Sequence, residues 1–272
     1  MSLLQLPHAS PAVVLFDWHA TLADTLDAMY HAVDDVLPML EQLGLDRRLV
    51  KTSDSKTLED AKLVKYVQTH GRLHPRIKEE RKISRTDIFE VLFGPDEEAK
   101  HIAHLAFDNC YREHFGETMP MEEGIPDMLE TLRGTGLKTG VITNRNREFL
   151  EHELATIEDN GWAHLFDTIA CGDEVRWRKP APDLILKALE KIGQPADPHC
   201  WYVGDSTTDV VAAKKAGVTA IFYNGAQWEG DWIDKIFPGT SRHPHKPDAV
   251  IRKFSELLSL SENIRTGTVP SA

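Results

Sequence analysis

Polar residues suited to a phosphate and metal site stand where short apolar runs of the sequence end. Asp17 follows "VVLF", Thr143 ends "VIT" and precedes Asn144, and Asp205 follows "WYVG", with Asp209 four residues further on. Carboxylates suit Mg²⁺, which prefers oxygen ligands and leaves room for phosphate oxygens. The Thr143 hydroxyl and the Asn144 amide can bind phosphoryl oxygens. These residue types indicate a site for Mg²⁺ and an anionic phosphate group.

A lysine between two of these runs adds a positive charge to the set. Lys179 lies in "RWRKPAP", and its ammonium group can neutralise phosphoryl oxygens. A helix that begins after Asn144 would add backbone N–H donors. Any one of these residues alone is typical of a loop or a helix cap. Several strand ends that each carry a polar group favour a common site instead.

The surrounding pattern predicts the elements that would bring these residues together. Short apolar runs alternate with segments of helical spacing, which is typical of crossover units. The sequence therefore predicts an α/β fold with a doubly wound, Rossmann-like parallel sheet, in which ligands bind outside the carboxyl ends of the strands. The predicted strands are 12–16, 137–142, 166–170, 201–203, 218–222 and 249–251, and the predicted helices are 125–133, 147–160, 183–192, 208–216 and 253–260.

One interval breaks this alternation. Apolar residues at steps of three and four, such as Leu26, Met29 and Val33, predict helices between residues 23 and 119. The expected organisation is a core of 1–22 and 120–272 with an inserted all-helical cap subdomain, 23–119. Pro38 is expected to interrupt the first of these helices.

Charge limits the classes of partner. The 272 residues carry 43 acidic and 31 basic side chains, a net charge of −12, which argues against a general nucleic-acid binder or a membrane-surface protein. Residues 47–85 nevertheless contain twelve Lys or Arg and five Asp or Glu, a local excess of +7. This stretch is either a solvated helical face or a surface that receives an anionic substrate.

Cysteine usage and hydropathy predict a cytoplasmic protein. The three cysteines, Cys110, Cys171 and Cys200, form neither a CxxC pair nor an even-numbered disulfide framework. The first residues, "MSLLQLPHAS", lack the pattern of a signal peptide, and no run of eighteen apolar residues predicts a membrane span. The sequence does not indicate an oligomeric state.

Four short motifs, in order along the chain, resemble those of the haloacid dehalogenase-like hydrolase superfamily. They are "FDWHATL", similar to the DxDxT pattern of that family, "VITN", Lys179 in "RKPAPD", and "GDSTTD". The resemblance implies a Rossmann-like core and identifies the helical insertion as a small mobile cap. It also implies that Asp17 is a nucleophile that forms an aspartyl-phosphate, that Thr143 binds the transferred phosphoryl group, and that Lys179 holds both.

The resemblance further implies a Mg²⁺ site. Asp17 and Asp205 would bind the ion, and Asp209 would be a further ligand or act through its neighbours. The remaining ligand from the first motif would be the backbone carbonyl of His19. Because a carbonyl does not depend on the identity of the side chain, we expect the metal site to tolerate this histidine.

His19 departs from the family pattern. Phosphatases of the family have a second aspartate there, which protonates the leaving group and then deprotonates the attacking water. Imidazole has an unperturbed pKa of about 6.5 and both donates and accepts protons, so His19 is a candidate general acid and base. Protonated histidine would, however, add positive charge beside Mg²⁺ and Lys179. A histidine that is tolerated without a catalytic role is the alternative.

The sequence thus predicts a magnesium-dependent hydrolase of phosphomonoesters, acting on a small phosphorylated metabolite or another anionic substrate. Two alternatives remain open. One is cleavage of a phosphonate or a carbon–halogen bond on the same fold, although the alanine or tyrosine that would mark these reactions is absent from position 19. The other is a non-catalytic module that binds a phosphorylated ligand.

Overall fold

The computed structural model describes residues 7, 9–80, 85–114, 118–158, 160–241 and 243–266, and of residues 85–87 it describes the backbone only. Part of the basic stretch 47–85 therefore lies outside the described residues. Two compact units make up the chain, Met1–Asp24 with Thr118–Ala272, and Thr25–Glu117. The predicted interval 23–119 extends two residues beyond the second unit at each end, because Ala23–Asp24 and Met119–Pro120 pair with each other in the first unit.

The strands of the described residues are β1 Val13–Asp17, β2 Ala23–Asp24, β3 Met119–Pro120, β4 Lys138–Thr143, β5 Thr168–Cys171, β6 Cys200–Gly204, β7 Thr219–Tyr223 and β8 Ala249–Ile251. Six of them form a parallel sheet in the first unit, in the order β5-β4-β1-β6-β7-β8, and β2 and β3 form a separate antiparallel pair. The α-helices of the described residues are α1 Leu26–Val36, α2 Leu58–His70, α3 Pro75–Glu80, α4 Arg85–Phe93, α5 Glu97–Tyr111, α6 Ile125–Gly134, α7 Arg147–Thr156, α8 Asp183–Lys191, α9 Thr207–Ala216, α10 Gly230–Ile236 and α11 Phe254–Thr266.

Helices cover both faces of this sheet, as the alternation of β1 shows. Val14 and Phe16 belong to an apolar cluster with residues of α6, α7 and α11, whereas Val13 and Leu15 belong to a second cluster with residues of α8 and α9. Successive side chains of a strand point to opposite faces, so the four apolar residues that precede Asp17 are buried on both faces of the sheet. The predicted doubly wound α/β fold is confirmed.

The order of the strands places the carboxyl end of β1 at a switch point. β1 pairs with β4 on one side and with β6 on the other, so the chain leaves β1 toward one edge first and returns to its other side later. Open α/β sheets bind ligands at such points, outside the carboxyl ends of the strands. Asp17 is the last residue of β1 and lies at this position.

The second unit is helical throughout its described residues, with α1 to α5 and short 3₁₀ turns. The α-helix that contains Met29 and Val33 ends at Val36, and a 3₁₀ turn with Pro38 near its start follows. No helix of the described residues combines the length and the apolar character that crossing a membrane requires.

Candidate active site

Lys179 lies at the centre of a buried cluster at the carboxyl edge of the sheet. Its Nζ donates to Asp17 Oδ1 at 2.7 Å, to Asp209 Oδ1 at 2.7 Å and to the Tyr202 hydroxyl at 2.8 Å. An ammonium group has three protons, so these three contacts satisfy it. Lys179 is 4% exposed, and its charge is therefore compensated by neighbours instead of water.

The charges in this cluster perturb one another. Burial acts to lower the pKa of Lys179, but the carboxylates of Asp17 and Asp209 outweigh burial and raise it. Burial raises the pKa of Asp17 to about 6, with the charge of Lys179 opposing this shift and that of Asp209 adding to it. A carboxylate that titrates near neutrality beside a charged lysine is typical of a reactive site.

Asp209 has a role in the fold that its place in the motif does not reveal. Ser206 is the N-cap of α9 and Asp209 its third residue, and the two form a capping box in which each side chain binds the other's backbone N–H. Asp209 Oδ2 accepts from Ser206 N and Oγ, and Oδ1 accepts from Lys179 and Tyr202. Because these contacts use the roughly four acceptor positions of a carboxylate, they favour a role for Asp209 that acts through its neighbours.

Three carboxylates of this cluster fit a hard cation. Single oxygens of Asp17, Asp205 and Asp209 all lie within 4.8 Å of one another, and Asp205 is half-buried. Thr21, the last residue of the DxDxT pattern, donates its hydroxyl to Asp205 Oδ1 at 3.1 Å. A ligand set made only of oxygens suits Mg²⁺, so these residues fit the cofactor that the family resemblance implies. The contact of Mg²⁺ with the backbone carbonyl of His19 stays a prediction.

The second motif positions Lys179. Thr143 is fully buried at the end of β4, where its Oγ1 accepts the backbone N–H of Arg145. The Asn144 side chain accepts the backbone N–H of Lys179 at 2.8 Å and donates to the carbonyl of Lys179 at 2.9 Å. This double contact holds the lysine backbone. The predicted contacts of Thr143 and Asn144 with a phosphoryl group stay predictions.

A tight turn after β1 presents His19. The backbone N–H groups of Leu22 and Ala23 both donate to the carbonyl of Trp18, and the N–H of Ala20 donates to the carbonyl of Ala23. Ala20 has a φ of 59°, in the left-handed region that disfavours residues with a Cβ. The backbone is therefore strained at Ala20, the residue that follows His19.

His19 lies beside a buried acid from another element. Its Nε2 is 3.5 Å from Oε2 of Glu153 on α7, and the His19 side chain is 15% exposed. Glu153 also accepts the indole N–H of Trp18 at 2.8 Å and lies 3.2 Å from Arg145 Nη1. Neither Glu153 nor Arg145 belongs to the four motifs or to the predicted site.

Of the residues that the motifs leave out, Glu153 carries a sequence signal and Tyr202 does not. Glu153 shares the buried face of α7 with Phe149, Leu150 and Leu154, so an acid on an apolar helix face was the available signal. Tyr202 pairs with Leu15 in the sheet register, and Asp17 lies two residues beyond Leu15 on the same face. An aromatic residue in a buried strand is ordinary, so Tyr202 carries no such mark.

Part of the basic stretch is compensated within the second unit. Arg48 lies 2.5 Å from Asp96 and 3.0 Å from Glu98, and Lys78 lies 2.6 Å from Asp34. These ion pairs support the interpretation of a solvated helical surface for those two residues. The alternative, a surface that receives an anionic substrate, stays a prediction for the rest.

Comparisons with known proteins show the family and the fold of this chain. A model described as haloacid dehalogenase-like hydrolase matches residues 14–223. A phosphoglycolate phosphatase of Escherichia coli is 27% identical over 247 residues, 90% of each chain. The solved structure of a predicted phosphoglycolate phosphatase from Haemophilus somnus has a TM-score of 0.56 at 18% identity, over 93% of this chain and 99% of that chain. That of a hydrolase from Pseudomonas syringae has a TM-score of 0.55 at 20% identity, over 91% and 96%.

The two solved structures share the fold of this chain, and the family model spans more than half of its length and all four motifs. The chain therefore belongs to the haloacid dehalogenase-like hydrolases.

Proposed function

We propose that this protein is a magnesium-dependent phosphatase that acts on a small phosphomonoester through an aspartyl-phosphate on Asp17. The observation that carries the proposal is the contact of Lys179 with Asp17, within a group of three carboxylates at the carboxyl edge of the sheet. The similarity to phosphoglycolate phosphatases over 90% of the chain supports a small phosphorylated acid as the substrate class.

In the first half of the reaction a carboxylate oxygen of Asp17 forms a bond to phosphorus while the bond from phosphorus to the leaving oxygen breaks. Protonated His19 gives its proton to that oxygen, so an alcohol leaves and His19 becomes neutral. Lys179 and Thr143 hold the phosphoryl oxygens in line with Asp17. Bound Mg²⁺, held by Asp17, Asp205 and the carbonyl of His19, would supply further positive charge against the phosphoryl group.

In the second half, water displaces Asp17. Neutral His19 takes a proton from the water as its oxygen bonds to phosphorus, and the bond from phosphorus to Asp17 breaks. Asp17 returns as a carboxylate, His19 returns to its protonated form, and inorganic phosphate leaves. The enzyme is thus restored after each turnover.

The test is steady-state release of phosphate from 2-phosphoglycolate and a panel of other phosphomonoesters, with Mg²⁺ and with a chelator. We expect activity that requires Mg²⁺ and that falls by about 10⁴-fold or more in Asp17→Asn, because the nucleophile is lost. Asp231→Asn, an exposed aspartate of α10, is the matched control and should retain activity. Phosphate release that persists with the chelator or in Asp17→Asn would refute the proposal.

Substrate binding without turnover over the whole panel would instead favour the non-catalytic binding module. Isothermal titration with each phosphomonoester separates this outcome from a protein that neither binds nor hydrolyses the compounds tested.

A further inference from the structure

The four motifs do not explain why a buried glutamate lies beside His19. Its Nε2 faces Oε2 of Glu153 at 3.5 Å, which is an ion-pair distance. Contacts of catalytic groups are often long in the free enzyme and shorten when substrate binds. The structure thus pairs the one departure from the family pattern with an acid from outside all four motifs.

Glu153 occupies a position where a carboxylate is costly. It is 1% exposed on the apolar face of α7, and an isolated buried carboxylate costs several kcal/mol. Two residues that donate to it, Trp18 and Arg145, lie in or beside the motifs, since Trp18 separates Asp17 from His19 and Arg145 follows Asn144. The carboxylate therefore joins the first motif to the second through α7.

Each oxygen of Glu153 accepts from a residue of a different motif region. Oε1 accepts from Arg145 Nη1, and Oε2 accepts from the indole N–H of Trp18. Oε2, which accepts the Trp18 indole N–H, is the same oxygen that faces His19 Nε2. One oxygen thus lies against two consecutive side chains of the turn after β1.

Imidazole needs such a partner more than a carboxyl group does. A carboxyl group presents two chemically equivalent oxygens, whereas the two nitrogens of imidazole differ, and the hydrogen bond made by one sets the proton on the other. A carboxylate on one ring nitrogen fixes the tautomer and the ring orientation in catalytic triads and in metal sites.

We propose that Glu153 is a positioning residue for His19, whose Oε2 holds the imidazole through Nε2 so that Nδ1 exchanges protons with the leaving group and the water. This inference rests on the proposed function, in which His19 is the general acid and base. Glu153 itself touches neither substrate nor the reacting atoms.

A purely structural role is the competing explanation, because Glu153 also binds Trp18 and Arg145. A double-mutant cycle between positions 19 and 153 separates the two. It compares the natural protein, Glu153→Gln, His19→Asp and the double variant in steady-state hydrolysis of the best substrate, with the Tm of each variant measured alongside. Glu151→Gln, an exposed acid on the same helix, is the control and should leave kcat unchanged.

We expect Glu153→Gln to lower kcat by about 10- to 100-fold with a change in KM of less than about 3-fold. In the His19→Asp background, where no imidazole needs to be oriented, the same substitution should lower kcat by less than about 3-fold, or raise it by removing a neighbouring negative charge. Equal losses of kcat in both backgrounds would show that Glu153 only supports the fold and would overturn the inference.

A second readout does not depend on turnover. The ¹⁵N resonances of the His19 ring, measured with Mg²⁺ present and assigned by their loss in His19→Asn, report which nitrogen carries the proton. Glu153→Gln should move both resonances, whereas Glu151→Gln should not. Unmoved resonances would overturn the inference even if the protein hydrolyses phosphomonoesters. Moved resonances in a protein without phosphatase activity would sustain the positioning of His19 while the proposed function fails.

Discussion

Two buried lysines, one in each unit, differ in the carboxylates that compensate their charge. Lys100 and Lys179 are both 4% exposed, and nearby carboxylates outweigh burial and raise the pKa of both. Lys100 on α5 contacts Glu97 on the same helix and Glu90 on α4, whose side chains are 58% and 27% exposed. Lys179 contacts Asp17 and Asp209, whose side chains are 12% and 1% exposed.

The carboxylates around the two lysines differ in their distance from the lysine in the sequence and in their exposure to solvent. Glu90 and Glu97 are close to Lys100 in sequence and partly solvated, so their pairing fastens neighbouring helices. Asp17 and Asp209 come from β1 and α9, and the burial of Asp17 raises its pKa to about 6. A buried lysine does not by itself indicate an active site. The stronger indication is a carboxylate at a strand end, such as Asp17, whose pKa burial raises toward neutrality.

The strongest way to break this comparison is to remove each lysine. Lys179→Met should lower kcat for phosphomonoester hydrolysis by about 10²- to 10³-fold, because the phosphoryl oxygens and Asp17 lose their cation. Lys100→Met should leave kcat within about 3-fold and change mainly the Tm, because its contacts lie within the helical unit. Equal losses of kcat in two well-folded variants would contradict the distinction.

Substitution of Tyr202, the uncharged hydrogen-bond partner of Lys179, should lower kcat less than removal of the lysine does. Tyr202 accepts from Lys179 Nζ and donates to Asp209 Oδ1, so Tyr202→Phe removes two hydrogen bonds to charged groups without changing the ring. Bonds of this kind contribute about 1.5–3 kcal/mol each, and we expect kcat to fall by about 10-fold as Lys179 becomes less ordered. Tyr66→Phe in the second unit is the control, and a loss of activity there would point to a general effect on folding.

Removing a carboxylate partner should change the Tm in opposite directions for the two lysines, upward beside Lys179 and downward beside Lys100. Since folding raises the pKa of Asp17 to about 6, its ionisation costs stability above that pH, and the cost fades as pH falls through 6 toward the ordinary value of 3.8. Metal-free Asp17→Asn should thus have a Tm higher by about 4 °C at pH 7.5 and nearly unchanged near pH 4. Glu90→Gln leaves buried Lys100 with fewer partners and should lower the Tm at pH 7.5.

Calorimetry of both variants at the two pH values tests this prediction. A lower Tm for metal-free Asp17→Asn at pH 7.5 would mean that the contact with Lys179 outweighs the cost of burying the carboxylate.

The smallest effect concerns the turn that carries His19. Ala20→Gly should raise the free energy of unfolding by about 0.5 kcal/mol, because glycine relieves the left-handed φ at a cost in chain entropy. Ala155→Gly, at an exposed position of α7, should lower it by about 1 kcal/mol. Urea unfolding measures both, and a decrease for Ala20→Gly of the size seen for Ala155→Gly would show that the turn is not strained.

The fold and the proximity of Asp17, Lys179 and Asp205 could be predicted from the sequence, because both follow from the order of strands and helices. Alternating apolar runs and helices permit few topologies, and a parallel sheet brings its strand ends to one edge. Residue types at those ends then predict neighbours without any knowledge of side-chain geometry. The contact of Lys179 with Asp17 is the result.

The remainder depends on side-chain geometry that a linear pattern does not contain. Asn144 binds the backbone of Lys179, although an amide beside a phosphate site suggests a ligand contact. Glu153 reads as one acid in an amphipathic helix, and its contacts with Trp18 and His19 arise from residues more than a hundred positions away. The pairing of Ala23–Asp24 with Met119–Pro120 likewise joins residues that are far apart in the sequence.

The capping box of α9 links the candidate active site to the abundance of the protein in a cell. Asp209 both completes the capping box of a helix and accepts a hydrogen bond from Lys179, so one substitution removes half of the capping box and a contact of Lys179 together. Loss of helix-capping contacts costs on the order of 1 kcal/mol, which is enough to lower the abundance of a marginally stable protein several-fold. Variants at this position would therefore be depleted by quality control as well as inactive, and a screen that scores abundance alone would detect a residue of the active site.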